Sequence, residues 1–215
     1  MLLNVKPTRM ELLRLRKRIE LARKGHKLLK EKRDALFSEF YKEMNAARQL
    51  RSDTEAILDN AFESLAIAQA KLGILNLEAF AEDSSMTSKI ALNVSEKNIM
   101  GARVPLLKAS GIRRTLLERG YSIIGSSSVL DESAEKFESV LEKIVSLAEK
   151  EASVARLSFE IAITKRKVNS LEKIIIPKLE SSTKYIEQRL EEREREAFYS
   201  MKKVKAKKYL RQYAL

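Results

Sequence analysis

Helix-breaking residues are almost absent from two long stretches of this 215-residue chain, residues 8–72 and 126–215. Gly25 is the only glycine or proline in the first stretch, and Pro177 the only one in the second. Gly73, Gly101, Pro105, Gly111, Gly120 and Gly125 crowd into the middle. Glycine and proline are the residues that end helices, so the spacing predicts two very long helices joined by a small head. At a rise of about 1.5 Å per residue, 65 helical residues would span roughly 100 Å, more than a globular domain of this size needs. The expectation is a rod.

Apolar residues in the first stretch alternate steps of three and four. Leu12, Leu15, Ile19, Ala22, His26, Leu29, Arg33, Leu36, Phe40, Glu43, Ala47, Leu50, Thr54, Ile57 and Ala61 form seven heptads, apolar at most seam positions and charged elsewhere. That is the pattern of a left-handed coiled coil. Thr8 and Glu11 have the spacing of a capping box at its start. The second stretch carries a similar seam through Leu157, Ile161, Thr164, Val168, Leu171, Ile175, Leu179, Ser182, Ile186, Arg189 or Leu190, Arg193 and Ala197, preceded by Phe137, Leu141, Ile144 and Ala148. The fold class expected is therefore all-α dominated, a long antiparallel two-helix coiled coil of the N- and C-terminal helices around a small central head. Its divisions are expected at residues 1–75, 76–132 and 133–215. Arg33, Glu43 and Thr54 interrupt the seam, either as long side chains that snorkel out of a narrow interface or as register-setting polar groups. His26 reads as a packed seam residue, because a single imidazole does not make a metal site.

The head differs in pattern. Ile90, Leu92 and Val94 alternate with polar residues, as a half-buried strand should, and Asn98–Gly101 offers turn residues before Pro105. A β-hairpin is expected over about residues 89–106, followed by a short helix over 110–119 that Gly120 would end. Gly120 and Gly125 have the spacing of a phosphate-binding loop, but Ser126 stands where the loop needs a lysine, so a turn is the reading.

Composition narrows the chemistry. The chain has no cysteine and one histidine, which removes disulfide scaffolds, Cys/His zinc sites, thiol catalysis and any triad without His26. No run is apolar enough for a signal peptide or a membrane span. Charge is the more telling feature. Residues 1–33 hold twelve Lys/Arg against three acids, and residues 202–215 hold six with no acid, whereas the whole chain is only +12. In an antiparallel hairpin both basic segments meet at one end, as Arg9, Arg14, Arg16, Lys17 and Arg18 with Lys202, Lys203, Lys205, Lys207 and Lys208. A nucleic acid, an anionic membrane or an acidic protein surface would each suit that tip. It lacks the stacking aromatics of a nucleic-acid site and the Trp/Phe anchors of a membrane helix.

The run Val5-Lys6-Pro7-Thr8-Arg9, continued by Leu12, Leu15-Arg16, Ala22, Gly25 and Leu28 to Leu36, resembles the opening of the D subunits of the V-type/A-type rotary ATPases, in their prokaryotic form. Lys165-Arg166-Lys167-Val168-Asn169, Leu171-Glu172, Ile176-Pro177 and Glu191 to Glu196 with Phe198 are similar to the same family toward its C-terminus. The resemblance implies a central-stalk rotor shaft that couples ATP hydrolysis or synthesis to proton or sodium translocation. It implies a non-catalytic component with no cofactor and no metal, peripheral on the cytoplasmic side of a membrane. The implied partners are the catalytic A and B subunits, the small F subunit and the funnel-shaped stalk component that leads to the membrane ring, and no nucleic acid. The alternative is a basic coiled-coil nucleic-acid-binding or scaffolding protein. Gly25 and Pro177 are candidate bend residues of such a shaft. Equal seam lengths pair positions summing to about 208, which would set Pro177 opposite residue 31.

Overall fold

The computed structural model describes residues 6–87, 90–115, 118–121 and 126–212. Helix α1 (Arg9–Leu72) and α2 (Ile74–Thr87) precede a hairpin of β1 (Ala91–Ile99) and β2 (Ala102–Ser110). Helix α3 (Ser128–Ser170), a π-turn (Leu171–Ile175) and α4 (Ile176–Gln212) complete the chain. The long N- and C-terminal helices and the small antiparallel hairpin are the expected fold class. Two compact units divide the residues: one of Met1–Asp34 with Ala162–Leu215, the other of Ala35–Ile161.

Local chemistry sets the ends of these elements. The Glu11 amide donates to Thr8 Oγ1 at 3.3 Å, the half of the capping box that frees α1 from an orphan donor. The Thr8 amide donates to the Lys6 carbonyl instead of to Glu11. Gly73, at φ +79°, ends α1, and its amide donates to the Gln69 carbonyl. Ser127 starts α3 through Oγ, which accepts from the Val129 amide.

In the first unit α1 runs antiparallel to α4. Leu15, Leu179 and Ile186 form its buried core, with Leu12, Ile19, Ala22, Tyr185 and Leu190 packed around them. Outside that core, Arg9–Glu194, Arg16–Glu187 and Arg23–Glu180 make an interhelical ladder at 2.6, 2.7 and 2.6 Å. The rungs advance by seven residues on each helix. Their positions sum to 203, not to the 208 of equal seams, so each partner lies five residues earlier on α4.

In the second unit α1 pairs with α3 and the hairpin lies on them. Ala102, Val104 and Ile99 pack on Leu36, Leu157, Ile161, Phe37 and Phe40. Met100 and Gly101, both at positive φ, form the two-residue turn, and Asn98 Oδ1 accepts from the Gly101 amide. The strands extend to Ser110, beyond the expected end at 106. Leu92 and Val94, expected on the buried face, are 51% and 63% exposed. The reason is register: Ala102 and Val104 set the inner face, and a period of two then turns Leu92 and Val94 outward.

The expected helix over 110–119 is not formed in the described residues of that segment, and the short helix of the head is α2 instead. The segment is strapped to α3 by carboxylates. Arg113 pairs with Glu142 through two bonds of 3.0 Å. Arg119, its side chain 8% exposed, pairs with Glu138 at 3.1 Å. The Leu107 amide donates to Glu149. Residues 122–125 of the glycine-spaced turn lie outside the described residues.

Two glycines separate packing from backbone effects, since an added Cβ would meet nothing within 4 Å at either Gly25 or Gly73. Gly73→Ala forces a side chain into the left-handed region and should destabilise the chain by about 1 kcal/mol. Gly25→Ala lies inside continuous helix and should stabilise it by roughly 1 kcal/mol. Thermal unfolding of the two variants should therefore shift in opposite directions.

Candidate functional site

The α1 seam is met at every position, because all fifteen residues from Leu12 to Ala61 are buried or half-buried. Its polar members are satisfied individually. Glu43 pairs with Lys150 of α3 at 2.9 Å, Arg33 with its neighbour Asp34 at 2.7 Å, and Thr54 donates to the Leu50 carbonyl.

The second seam is buried or half-buried from Leu157 to Leu171 and again from Leu179 to Leu190, with Ile175 exposed between them. No residue of the π-turn is buried, and Arg193 and Ala197 are exposed. Upstream, Val140 takes the buried place expected of Leu141, and Ile144 and Ala148 are exposed. The spacing explains the gap. Leu171, Ile175 and Leu179 take two steps of four in succession where three-four alternation is needed, so this helix carries one residue too many. A π-turn confines such an insertion to one wide turn, here with the Ile176 amide donating to the Leu171 carbonyl.

The two candidate bend residues fall at this section of the first unit. Continuing the ladder register sets Pro177 opposite His26, one residue from Gly25, rather than opposite residue 31. Helix α1 itself runs unbroken through Gly25. His26 is half-buried, and its Nε2 is sealed from solvent without a hydrogen bond, 3.6 Å from Glu172 Oε2. Neither helix has a fully buried residue here: α1 has none between Leu15 and Leu36, and the facing segment none between Val168 and Leu179.

The ten basic tip residues divide into two groups. Arg9 and Arg16 are committed to the ladder and Arg14 to Glu11. Lys17 and Arg18 are exposed and make no ion pair among the described residues. Helix α4 continues past the last rung, and every residue from 191 to 208 is exposed. Lys202 and Lys203 lie 4.9 Å from the Phe198 and Tyr199 ring centroids. Lys205, Lys207 and Lys208 are exposed beyond them. The same segment carries the apolar residues Phe198, Met201 and Val204, which the charge pattern alone does not reveal. They recur every third residue and stand 58%, 65% and 59% exposed.

No group of His, Cys, Asp and Glu among the described residues is arranged to hold a metal ion, and no described helix is long and apolar enough to cross a membrane. A match to the family of ATP synthase D subunits spans residues 11–206. The chain belongs to that family. It is 49% identical to the D subunit of the A-type ATP synthase of Thermococcus gammatolerans and 48% identical to that of Pyrococcus horikoshii, over 95% of each chain. It is 45% identical to that of Methanosarcina mazei, over 95% of this chain and 97% of the relative. The family match covers α1 from Glu11, both strands, the π-turn and most of α4, so it takes in the Arg16–Glu187 and Arg23–Glu180 rungs and the tip lysines as far as Lys205.

The ladder register is open to a direct check in a chain without cysteine. Cysteines at Leu15 and Ile186 should form a disulfide within one chain, because both side chains lie in the same buried core. Cysteines at Leu29 and Leu179, paired only by equal seams, should crosslink several-fold more slowly.

Proposed function

We propose that this chain is the central rotor shaft of a rotary A/V-type ATPase. It couples ATP hydrolysis or synthesis in a ring of A and B subunits to proton or sodium movement through a membrane ring. The observation that carries the reading is the first unit: two antiparallel helices in fixed register, with an exposed basic end, in a member of the D-subunit family. The chain has no catalytic role of its own in this reading. Its head would join the small F subunit and the funnel-shaped stalk component, on the cytoplasmic side of the membrane and peripheral to it. Family membership favours this over a nucleic-acid-binding or scaffolding coiled coil.

Lysines 202, 203, 205, 207 and 208 and the exposed Lys17 and Arg18 contact the catalytic ring in this reading, whereas Arg9, Arg14 and Arg16 hold the shaft's own helices. Changing the five tail lysines to Gln should weaken assembly with the A/B ring by about tenfold at low salt, from several rim charges of a few tenths of a kcal/mol each. The difference should shrink as salt is raised, since the wild-type attraction is then screened too. Equal assembly at every salt concentration would mean the tail is merely solvated.

A shaft also needs its shape between its attachment points, and in this reading the π-turn, Pro177 and Gly25 would form its bend. Pro177→Ala restores a backbone donor, and deleting Ile174 as well removes the extra residue of the seam. The doubly changed chain should assemble and support ATP hydrolysis while moving fewer ions per ATP. A wild-type ion yield from it would show that the irregular section is tolerated rather than used.

A further inference from the structure

His26 is the only histidine in the chain, and its side chain is 23% exposed, yet its Nε2 is sealed and makes no hydrogen bond. A sealed polar atom without a partner is costly and uncommon. The Glu172 carboxylate faces it, with Oε2 3.6 Å away and just beyond hydrogen-bond reach. Glu172 is the second residue of the π-turn, where the α-helical ladder of the first unit is interrupted. It is 59% exposed and so has room to move.

The surrounding charges define what can close that gap. On α1, Arg23 is occupied by Glu180, and Lys27 and Lys30 are exposed and make no ion pair among the described residues. On the facing segment, Lys173 follows Glu172 and is exposed, and Pro177 lies opposite His26 by the ladder register. Glu172 is therefore the carboxylate placed to answer a charge on the imidazole. Among the described residues it pairs with no cation other than His26, so it is free to do so.

We propose that protonation of His26 closes a latch onto Glu172 and clamps the π-turn to α1. The neutral imidazole leaves the turn open; the imidazolium donates from Nε2 to the carboxylate in a charge-assisted bond. Histidine is the side chain whose ordinary charge change falls between pH 5 and 8, and this chain has one. The irregular section of the helix pair is thereby stiffer in acid than at neutral pH. The latch is a property of the chain's own fold and stands whether or not the rotor reading does.

Amide hydrogen exchange over residues 171–178 in the full chain tests it, with exchange rates corrected for the intrinsic effect of pH. Protection of that segment should rise by up to about fivefold between about pH 7.5 and 5.5, the range expected of one partly exposed ion pair, while residues 182–190 stay unchanged. Glu172→Gln, a change on the exposed side of the pair, should abolish the rise, and His26→Gln should abolish it independently. A rise that survives Glu172→Gln, or its absence in the unaltered chain, overturns the latch.

Discussion

The three-four spacing of α1 is the constraint that the rest of the structure answers to. From Leu12 to Ala61 it is unbroken, and any helix laid along it must present a side chain at the same rhythm to stay in contact. Between Leu157 and Ile186 the facing chain does so except at Leu171, Ile175 and Leu179, where one extra residue enters. An extra residue can be spread over many turns as a change of supercoil or held in one wide turn. Here it is held in Leu171–Ile175, none of which is fully buried. Pro177 follows two residues later. Its missing N–H would otherwise break a regular ladder, so placing it beside an existing interruption gathers two defects into one section.

Much of this is legible in the sequence because it depends on periodicity. Gly73 marks the end of the first breaker-free stretch, and the seam of α1 can be read position by position. The double step of four is also visible in the spacing, but spacing alone does not say whether the extra residue is spread or held in one turn. Features decided by contacts between elements are not legible in this way. Whether positions pair at a sum of 208 or 203 depends on where Arg9, Arg16 and Arg23 find their glutamates. The inner face of β1 looks apolar by alternation, but Ala102 and Val104 on the other strand decide it. The segment after β2 has helix-forming residues, yet Arg113 and Arg119 pair instead with Glu142 and Glu138 on α3.

The head shows the same dependence at smaller scale. A two-stranded sheet is marginal in water by itself. This one is kept by its inner side chains on Leu36, Leu157 and Ile161 and by Glu149, which accepts from the backbone of β2. Most of the support falls on β2, so β1 is left with its outer side chains uncovered.

Electrostatics divides the basic residues by task. Exposed ion pairs contribute little stability, about 0.2–1 kcal/mol each, so the ladder's value lies in direction and register rather than in holding the helices together. All three rungs use arginine, whose planar fork holds a carboxylate with a fixed orientation. The exposed cations of α4 from residue 197 through residue 208 are all lysines, flexible point charges that suit a surface read by charge rather than by fixed geometry. The arginine ladder fixes the register of the pair, and the lysine-rich end beyond it stands exposed. The basic residues that look alike in the sequence are therefore not equivalent, and neutralising the arginines would disturb the helix pair before it reported on any contact at the tip.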